Sequence, residues 1–361
     1  MSTWLVTGGA GFIGANFVRY ARSVLDVRVV NLDLLTYAGH RENLVALEQD
    51  DGHIFVRGDV ADAALVTSLF EKYEPDAVIH FAAESSVDRS IVGPRAFTDT
   101  NVRGTQELLA GALAYWQGLR PAAQRAFRFL QVSTDEVYGS LDPYDPPFTE
   151  QHPFRPRSPY AASKAAADHF VAAYHHTYGL PTLTTHCTNN YGPYQHPDKL
   201  IPVMILAARA RKPLPIYGDG KHVRDWLFVD DHCEALRLTL EKGRPGERYN
   251  IGASCERTNL QVIGEICRLL DNLYPSPIPH IRLATHIIDR PGHDRRYATN
   301  AEKARRDLGW APRTDFAAGL EQTVRWYIDN PAWVAAVCAG GHAEWVESNY
   351  AQRGTLVRGR P

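Results

Sequence analysis

The 361-residue sequence predicts an α/β fold, a doubly wound parallel sheet joined to a smaller, interleaved C-terminal domain. Two observations support this prediction: short apolar, β-rich runs alternate with helical patterns through the first half of the chain, and a glycine-rich turn follows the first run. Such alternation is typical of right-handed βαβ units, whose strands are apolar throughout because helices cover both sheet faces. Beyond Asn189, prolines and glycines crowd residues 192–220 and the pattern becomes irregular. We therefore predict a first domain over residues 1–188 and a second mainly over residues 189–361, with segments that return to the first.

The predicted strands and helices follow one another in a regular order. Ser158-Pro159 starts one helix, because serine caps a helix and proline fits its first position, and Gly179 ends it. The predicted strands are Trp4–Thr7, Val27–Leu32, Ile54–Val56, Ala77–Phe81, Phe127–Ser133 and Thr182–His186. The predicted helices are Ile13–Ser23, Ala63–Tyr73, Asn101–Trp116, Tyr160–Tyr178, Ala301–Leu308 and Phe316–Asn330.

The bulk composition excludes several classes of function. The formal net charge of −2 gives no electrostatic case for binding nucleic acid or an anionic membrane. No stretch approaches the roughly 18 apolar residues of a membrane span, and the N-terminus lacks the pattern of a secretory signal. The five cysteines include no CxxC pair and have no ligand-like spacing to histidine, which predicts free thiols and no metal site. We expect a cytoplasmic protein.

The glycine-rich turn lies between the first strand and the first helix. Gly8, Gly11 and Gly14 permit a tight turn, a close approach of the backbone to pyrophosphate, and close packing of helix on strand. Asp33 ends the second strand 19 residues after Gly14, where a carboxylate accepts hydrogen bonds from the adenosine ribose and disfavours a 2′-phosphate. The alternative for Asp33 is a carboxylate that merely caps a turn. Together these features predict a Rossmann-type domain that binds NAD rather than NADP.

The carboxyl ends of the third and fourth strands are expected to continue this site, because ligands of open parallel sheets bind at that edge. Asp59 and Val60 end the third strand, near the expected adenine. Residues Phe81–Ser85 end the fourth strand, beside the expected path of the dinucleotide. Ordinary packing at strand ends is the alternative for each of them.

Tyr160 and Lys164 are candidate catalytic residues. They stand four residues apart on a well-capped predicted helix, so their side chains share one face. An ammonium group near a phenol favours the phenolate and lowers the pKa of the phenol toward the working range of a general base. A pair at this spacing also arises by chance on surface helices, and only the glycine turn and Asp33 favour catalysis over chance.

Residues Ser133–Gly139 form the most informative segment. Thr134, Asp135 and Glu136 close an apolar strand at the edge where ligands bind. Neighbouring side chains of a regular strand point to opposite faces, so both acids reach one substrate only if the strand breaks into a loop there. Val137-Tyr138-Gly139 makes such a break plausible. The alternative is an acidic turn that faces water.

These motifs together resemble a known family. The glycine turn and Tyr160–Lys164 are similar to those of the extended short-chain dehydrogenase/reductase superfamily, and within it the chain resembles dTDP-glucose 4,6-dehydratases. The acid pair distinguishes this family, because related epimerases have a Ser-Ser/Thr-x-Val-Tyr-Gly strand end and related decarboxylases and GDP-mannose dehydratases a single Glu there. Ser86 departs from the family's usual histidine, and Leu34 from its usual polar residue. The other matching segments are Leu35–Gly39, Ala82–Ser85, Val87–Ile91, Asn189–Pro193, Lys199–Pro202, Leu214–Gly218, Arg224–Trp226 and Arg290–Tyr297.

The resemblance implies an internal redox cycle with tightly held NAD. Tyr160 would take the proton of the C4 hydroxyl as hydride leaves C4, with Lys164 on the ribose and Thr134 near the C4 oxygen. Glu136 would then remove the C5 proton while Asp135 protonates the departing C6 hydroxyl, after which hydride returns to C6. The cofactor contacts it implies are Gly8, Gly11, Phe12, Ile13, Gly14, Asp33, Leu34, Thr36, Asp59, Val60, Phe81, Ala82, Ala83, Ser85, Thr100, Tyr160, Lys164 and Asn189.

The resemblance also implies dTDP-glucose as the substrate and a homodimer formed through the helices at Asn101–Trp116 and Tyr160–Tyr178. Three other functions stay open from the residues alone: a nucleotide-sugar epimerase or decarboxylase, an inactive NAD-sensing regulator, and a purely structural nucleotide-binding subunit. The implied substrate contacts are Ser85, Thr134, Asn190, Lys199, Leu200, Pro215, Ile216, Tyr217, Arg224, Asn259, Arg290 and His293.

Overall fold

The computed structural model describes residues 2–339, 345, 348–350 and 354. Its strands are β1 (Thr3–Thr7), β2 (Arg28–Asp33), β3 (His53–Arg57), β4 (Ala77–His80), β5 (Arg128–Thr134), β6 (Thr182–Cys187), β7 (Asn189–Tyr191), β8 (Leu214–Tyr217), β9 (Val223–Phe228), β10 (Arg248–Ile251), β11 (Glu256–Thr258) and β12 (Ala284–Ile287). Its α-helices are α1 (Phe12–Val24), α2 (Ala63–Tyr73), α3 (Val87–Val92), α4 (Pro94–Phe97), α5 (Thr105–Gln117), α6 (Pro121–Ala126), α7 (Pro159–Tyr178), α8 (Leu200–Arg209), α9 (Val229–Lys242), α10 (Asn259–Leu273), α11 (Glu302–Leu308), α12 (Phe316–Asp329) and α13 (Pro331–Val337).

In the described part of the chain, seven strands form one parallel sheet in the order β10-β6-β5-β4-β1-β2-β3. The order reverses between β1 and β4, which is the point where open α/β sheets bind their ligands. Apolar side chains of α1 and α9 cover one face of the sheet, and those of α2, α5 and α7 cover the other. The predicted doubly wound fold is confirmed.

The predicted helix Asn101–Trp116 differs from the observed one at its start. Residues Thr98–Gly104 form a wider π-helical turn, and the regular helix begins at Thr105. The amide of Asn101 accepts a hydrogen bond from Glu84 N–H (2.8 Å) and donates one to Glu84 C=O (3.0 Å). The turn thus carries a side chain that is tied to the end of β4, and such π turns are frequent at functional sites.

Much of the chain after β6 forms a second packed layer beside the sheet. Strands β11, β9 and β7 form one small sheet and β12 pairs with β8, while α8, α10 and α12 bury a separate apolar cluster against them. Two parts of this half return to the large sheet, because β10 pairs with β6 and α9 packs on α1. No helix among the described residues is both long and apolar enough to cross a bilayer.

Candidate active site

A cleft of about 410 Å³ opens at the carboxyl ends of the large sheet, between it and the second layer. Every residue that the sequence predicts for cofactor, catalysis or substrate lines this one cleft. From the first half these are Gly8, Gly11, Phe12, Ile13, Gly14, Asp33, Leu34, Thr36, Asp59, Val60, Phe81, Ala82, Ala83, Ser85, Thr100, Thr134, Asp135, Glu136, Tyr160 and Lys164. From the second half they are Asn189, Asn190, Lys199, Leu200, Pro215, Ile216, Tyr217, Arg224, Asn259, Arg290 and His293.

The glycine turn has the geometry of a phosphate cradle. Gly8 has φ +72°, and a Cβ built there would lie 2.5 Å from the backbone nitrogen of Ala82. A Cβ at Gly14 would lie 2.2 Å from Gly8 C=O, so helix α1 packs directly on the turn. Gly11 precedes α1, no side chain among the described residues caps the helix, and Gly11, Phe12 and Ile13 all line the cleft. An anion fits at this helix start.

Asp33 caps a turn, which was the alternative interpretation of this residue, and it also lines the cleft. Its carboxylate accepts hydrogen bonds from Ala10 N–H and Leu35 N–H, each 2.8 Å long. Burial raises the pKa of Asp33, and these two N–H groups oppose that rise. Each carboxylate oxygen has two acceptor sites, so bracing the turn leaves capacity for ribose hydroxyls. The neighbouring Leu34 side chain is 42% exposed.

Tyr160 and Lys164 are buried in the cleft wall, which excludes a chance surface pair. Ser158 caps their helix by accepting a hydrogen bond from Ala161 N–H (3.1 Å). Lys164 Nζ donates to the carbonyl of Val132 (2.9 Å), and burial lowers the pKa of this lysine.

The predicted lowering of the Tyr160 pKa is wrong for the protein without bound ligands. Burial, and then the charge of Glu136, raise the pKa of Tyr160 well above its ordinary value. An interaction with the Thr134 hydroxyl lowers this pKa, but by less.

The strand breaks at the acid pair, as the sequence predicts. Residues Asp135–Tyr138 form one turn of 3-10 helix, and Thr134 Oγ caps it by accepting a hydrogen bond from Glu136 N–H (3.2 Å). Asp135 is buried and its Oδ2 has no hydrogen-bond partner among the described residues. The predicted alternative, an acidic turn facing water, does not hold for this carboxyl.

The two acids have different electrostatic surroundings. Burial, Glu136 and Asp225 raise the pKa of Asp135 well above its ordinary value. Burial also raises the pKa of Glu136, but the cations Arg290, Arg224 and Lys199 all oppose that rise. Burial thus favours the neutral form of both acids, and Glu136 has the larger number of cations that stabilise its ionised form. An acid and a base side by side suit the elimination of water.

Cations and an ordered loop close the far end of the cleft. Arg224 donates to the carbonyls of Val223 (2.7 Å) and Asp294 (2.9 Å), and its guanidinium lies 4.3 Å from the ring centre of Tyr297. Lys199 Nζ donates to the carbonyl of Ser85 (3.0 Å), which ties the second half of the chain to the end of β4.

Asp289 holds the loop that carries Arg290 and His293. Its carboxylate accepts hydrogen bonds from Arg290 N–H (2.8 Å) and His293 Nδ1 (2.7 Å), and His222 Nε2 lies 3.1 Å from its other oxygen. The rings of His222 and His293 stack at 3.7 Å. These three side chains offer potential metal-ligand atoms within 4.8 Å of one another, but the same atoms are already joined by hydrogen bonds. We therefore interpret the cluster as the anchor of the loop.

Sequence reasoning missed several residues of the cleft. The residues that line it without having been predicted as site residues include Tyr297, Trp226, Gln195 and Ser86. Tyr297 and Trp226 lie in segments that resemble the family, so this resemblance could have identified them. Ser86, where the family usually has histidine, caps α3 by accepting a hydrogen bond from Arg89 N–H (3.4 Å).

Comparisons with known proteins agree with this geometry. A family model described as GDP-mannose 4,6 dehydratase matches residues 5–323. The dTDP-glucose 4,6-dehydratase of Xanthomonas campestris pv. campestris (strain B100) is 57% identical over 95% of this chain and 97% of its own length. That of Salmonella typhimurium (strain LT2) is 49% identical over 97% of this chain and 99% of its own length.

Solved structures of the same family also align with this chain. A dTDP-glucose 4,6-dehydratase of Bacillus anthracis in complex with NAD aligns with TM-score 0.82 and 43% identity, over 93% of this chain and 100% of the other. A UDP-glucose 4-epimerase of Thermus thermophilus with NAD aligns with TM-score 0.80 but 29% identity, over 91% and 99%. The fold is thus common to both activities, whereas the sequence favours the dehydratases. The chain belongs to the dTDP-glucose 4,6-dehydratase family of the extended short-chain dehydrogenase/reductases.

Proposed function

We propose that the protein converts dTDP-glucose into dTDP-4-keto-6-deoxyglucose by oxidation at C4, elimination of water across C5 and C6, and reduction at C6. The observation that carries this proposal is the acid pair, in which buried Asp135 lies near Glu136, Asp225 and one cation, Arg224, while Glu136 faces three cations and Asp294. An epimerase has no need of a proton donor and a proton acceptor next to each other at this position. A dehydratase needs both.

NAD fits the first half of the cleft. The turn at Gly8–Gly14 would hold the pyrophosphate, Asp33 the adenosine ribose, and the strand ends at Asp59–Val60 the adenine. Lys164, with ammonium hydrogens beyond the one given to Val132, would hold the second ribose. The bound cofactor supplies a hydride acceptor at C4 and a hydride donor at C6.

Tyr160 is the proposed base for the C4 hydroxyl. Tyr160 and Thr134 line the cleft together, next to the acid pair. Thr134 would then contact the C4 oxygen as the ketone forms. A C4 ketone acidifies the C5 proton, which the ionised Glu136 can remove.

Asp135 is the proposed acid for the departing C6 hydroxyl. Burial raises the pKa of this carboxyl and so favours the protonated form, which would donate its proton as the C6–O bond breaks and water leaves. As hydride adds to C6, C5 is reprotonated with a proton that has exchanged with solvent. The net change is the loss of one water.

The nucleotide diphosphate fits the far end of the cleft. Arginine suits a diphosphate because its planar guanidinium donates paired hydrogen bonds, and Arg224 and Arg290 both line this end. We assign His293, Lys199 and Asn190 to the same group of substrate contacts. Leu200, Pro215, Ile216, Tyr217 and Asn259 would complete the pocket for the nucleoside.

Asp289→Asn is expected to weaken substrate binding while leaving the chemical step intact. Removing a charged acceptor that orders Arg290 and His293 should raise KM for dTDP-glucose by about tenfold or more, since a hydrogen bond to a charged group contributes roughly 1.5–3 kcal/mol. Steady-state kinetics would measure this, with kcat expected within about twofold of the parent. Asp219→Asn is the matched control, because Asp219 pairs with Arg295 at the exposed surface. An unchanged KM in Asp289→Asn would contradict the assigned role of the loop.

We also propose a cytoplasmic homodimer formed through α5 and α7. Aromatic side chains remain on the outer face of α7, where the rings of Tyr174 and Tyr178 lie 5.2 Å apart and Tyr178 is 50% exposed. All five cysteines are free thiols, which suits a reducing compartment. Sedimentation equilibrium would measure the oligomeric state, and a monomer would contradict the proposed interface.

The reaction itself is tested by mass spectrometry of the product formed from dTDP-glucose in deuterated water. The expected product has lost one water and carries one deuterium, at C5, because the C5 proton exchanges while the hydride at C6 comes from C4. A reaction in ordinary water is the control and should give the same product without the label. A product with the same composition as the substrate would indicate an epimerase. In a second assay with a nucleotide-linked uronic acid, loss of carbon dioxide would indicate a decarboxylase.

A further inference from the structure

A buried polar network joins helix α7 to the end of β5. Ser133 Oγ donates a hydrogen bond to Asp168 Oδ2 (2.7 Å), and His186 Nε2 lies 3.1 Å from the same oxygen. The side chains of Asp168 and His186 are 2% and 0% exposed. Ser133 directly precedes Thr134 and pairs with His186 across strands β5 and β6. The network therefore holds the residue from which the acid pair emerges.

The same histidine also reaches the other end of the acid-bearing turn. Tyr138, the last residue of that turn, has its hydroxyl 3.2 Å from His186 Nδ1 and 2.8 Å from Asn250 Oδ1. The rings of Tyr138 and His186 are 5.1 Å apart. His186 is thus linked to both flanks of the acid pair, to Tyr138 directly and to Ser133 through Asp168.

The hydrogen-bond partners of His186 point to a ring that is protonated on both nitrogens. Asn250 Nδ2 donates to the carbonyl of Phe148 (2.9 Å), so Asn250 Oδ1 faces Tyr138 and accepts the hydroxyl hydrogen. The Tyr138 oxygen can then only accept from His186, which requires a hydrogen on Nδ1. At the other side of the ring Nε2 faces a carboxylate oxygen, which is an acceptor, so Nε2 also carries a hydrogen.

We infer that His186 is an imidazolium ion whose pairing with Asp168 positions the turn Thr134–Tyr138 and with it the acid pair. A buried carboxylate or imidazolium alone would be costly, whereas the pair is neutral overall. Nearby charges come from each packed element: Lys164 one turn earlier on α7, Asp135 on the turn, and Glu150 and Arg248 beside Tyr138. The catalytic consequence rests on the proposed function, but the charge state of the pair does not.

The charge state is tested by NMR of the holoenzyme labelled with ¹⁵N-histidine, recorded at about pH 7–8, where an ordinary histidine is neutral. We expect one buried histidine with both ring nitrogens protonated, and its loss in Asp168→Asn. Tyr138→Phe, which keeps the ring but removes the hydroxyl acceptor, should also return His186 to a singly protonated ring. A singly protonated His186 in the parent protein would overturn the inference.

The positioning role is tested by kinetics of the same variants. Asp168→Asn keeps an oxygen for Ser133 but removes the charge, and we expect kcat to fall about tenfold or more with KM within about twofold, because small displacements of catalytic groups are costly. His176→Gln on the exposed side of α7 is the control and should retain the parent kcat. If Asp168→Asn fails to fold, Tyr138→Phe decides the question. The positioning role would be overturned if a folded variant had lost the extra proton of His186 but kept the kcat of the parent. If the parent enzyme itself formed no 4-keto product, only the proposed function would be refuted.

Discussion

Tyr160→Phe is expected to abolish the first hydride transfer, lowering turnover of dTDP-glucose by about 10²–10⁴-fold. The phenol is the proposed acceptor of the C4 hydroxyl proton, and phenylalanine leaves that proton without an acceptor while the ring keeps its place. The T-shaped contact between the rings of Phe97 and Tyr160, 6.3 Å between centres, is unaffected by the change. Single-turnover absorbance of the reduced nicotinamide after mixing with dTDP-glucose measures the step directly.

The control for this variant is Tyr144→Phe, which changes a fully exposed tyrosine outside the cleft. It should form the reduced cofactor at the parent rate. Bound NAD, released by denaturation and quantified, should be equal in parent, variant and control, since Tyr160 is only one of many proposed cofactor contacts. Normal formation of reduced cofactor in Tyr160→Phe would refute the assignment of this residue as the base.

Local sequence patterns predict most elements of the large sheet because those patterns are strong. The helix predicted at Ala63–Tyr73 has these bounds in the structure, and Asp62 caps it through hydrogen bonds from two backbone N–H groups. The start of α5 could not be predicted in this way. Its pattern continues back to Asn101, but the side chain of Asn101 bonds to the backbone of Glu84, a contact distant in sequence that favours a wider turn.

The identities of the site residues are more predictable than their electrostatics. Family motifs mark Tyr160, Asp135 and Glu136, and all three lie in one cleft. Their pKa values depend on groups brought together only by folding, such as Arg224 and Arg290 from the second half of the chain. Reasoning from Tyr160 and Lys164 alone gave the wrong sign for the tyrosine pKa, because it omitted burial and the carboxylate opposite.

The Asp168–His186 pair is also an interaction that the sequence could not predict. Asp168 lies one helical turn after Lys164, but nothing in the spacing relates it to His186 on β6 or to Tyr138. The pair depends on strand register, since Ser133 and His186 are partners across two parallel strands. Only the assembled sheet identifies these residues as candidates for positioning the acid pair.

Asp135→Asn is expected to give a protein that is inactive yet more stable than the parent at pH 8. Burial, Glu136 and Asp225 raise the pKa of Asp135 in the folded state well above the value of about 3.9 for an unfolded aspartate. The stability contributed by a group with a raised pKa is full below its unfolded value and is lost as pH rises through its folded value. An amide does not titrate, so the variant avoids this loss, and turnover should fall about 10²–10⁴-fold without the proton donor.

Calorimetric unfolding of the holoenzyme at pH 5 and pH 8 measures the stability difference, which should widen by about 1 kcal/mol or more toward the higher pH. Glu136→Gln is the matched comparison, because Arg290, Arg224 and Lys199 oppose the rise of the Glu136 pKa and its stability gain should be smaller. That variant should still form reduced cofactor but should not exchange the C5 proton with deuterated water. If Asp135→Asn were less stable than the parent at pH 8, Asp135 would be ionised in the folded protein, and the division of the acid pair into a proton donor and a proton acceptor would be wrong.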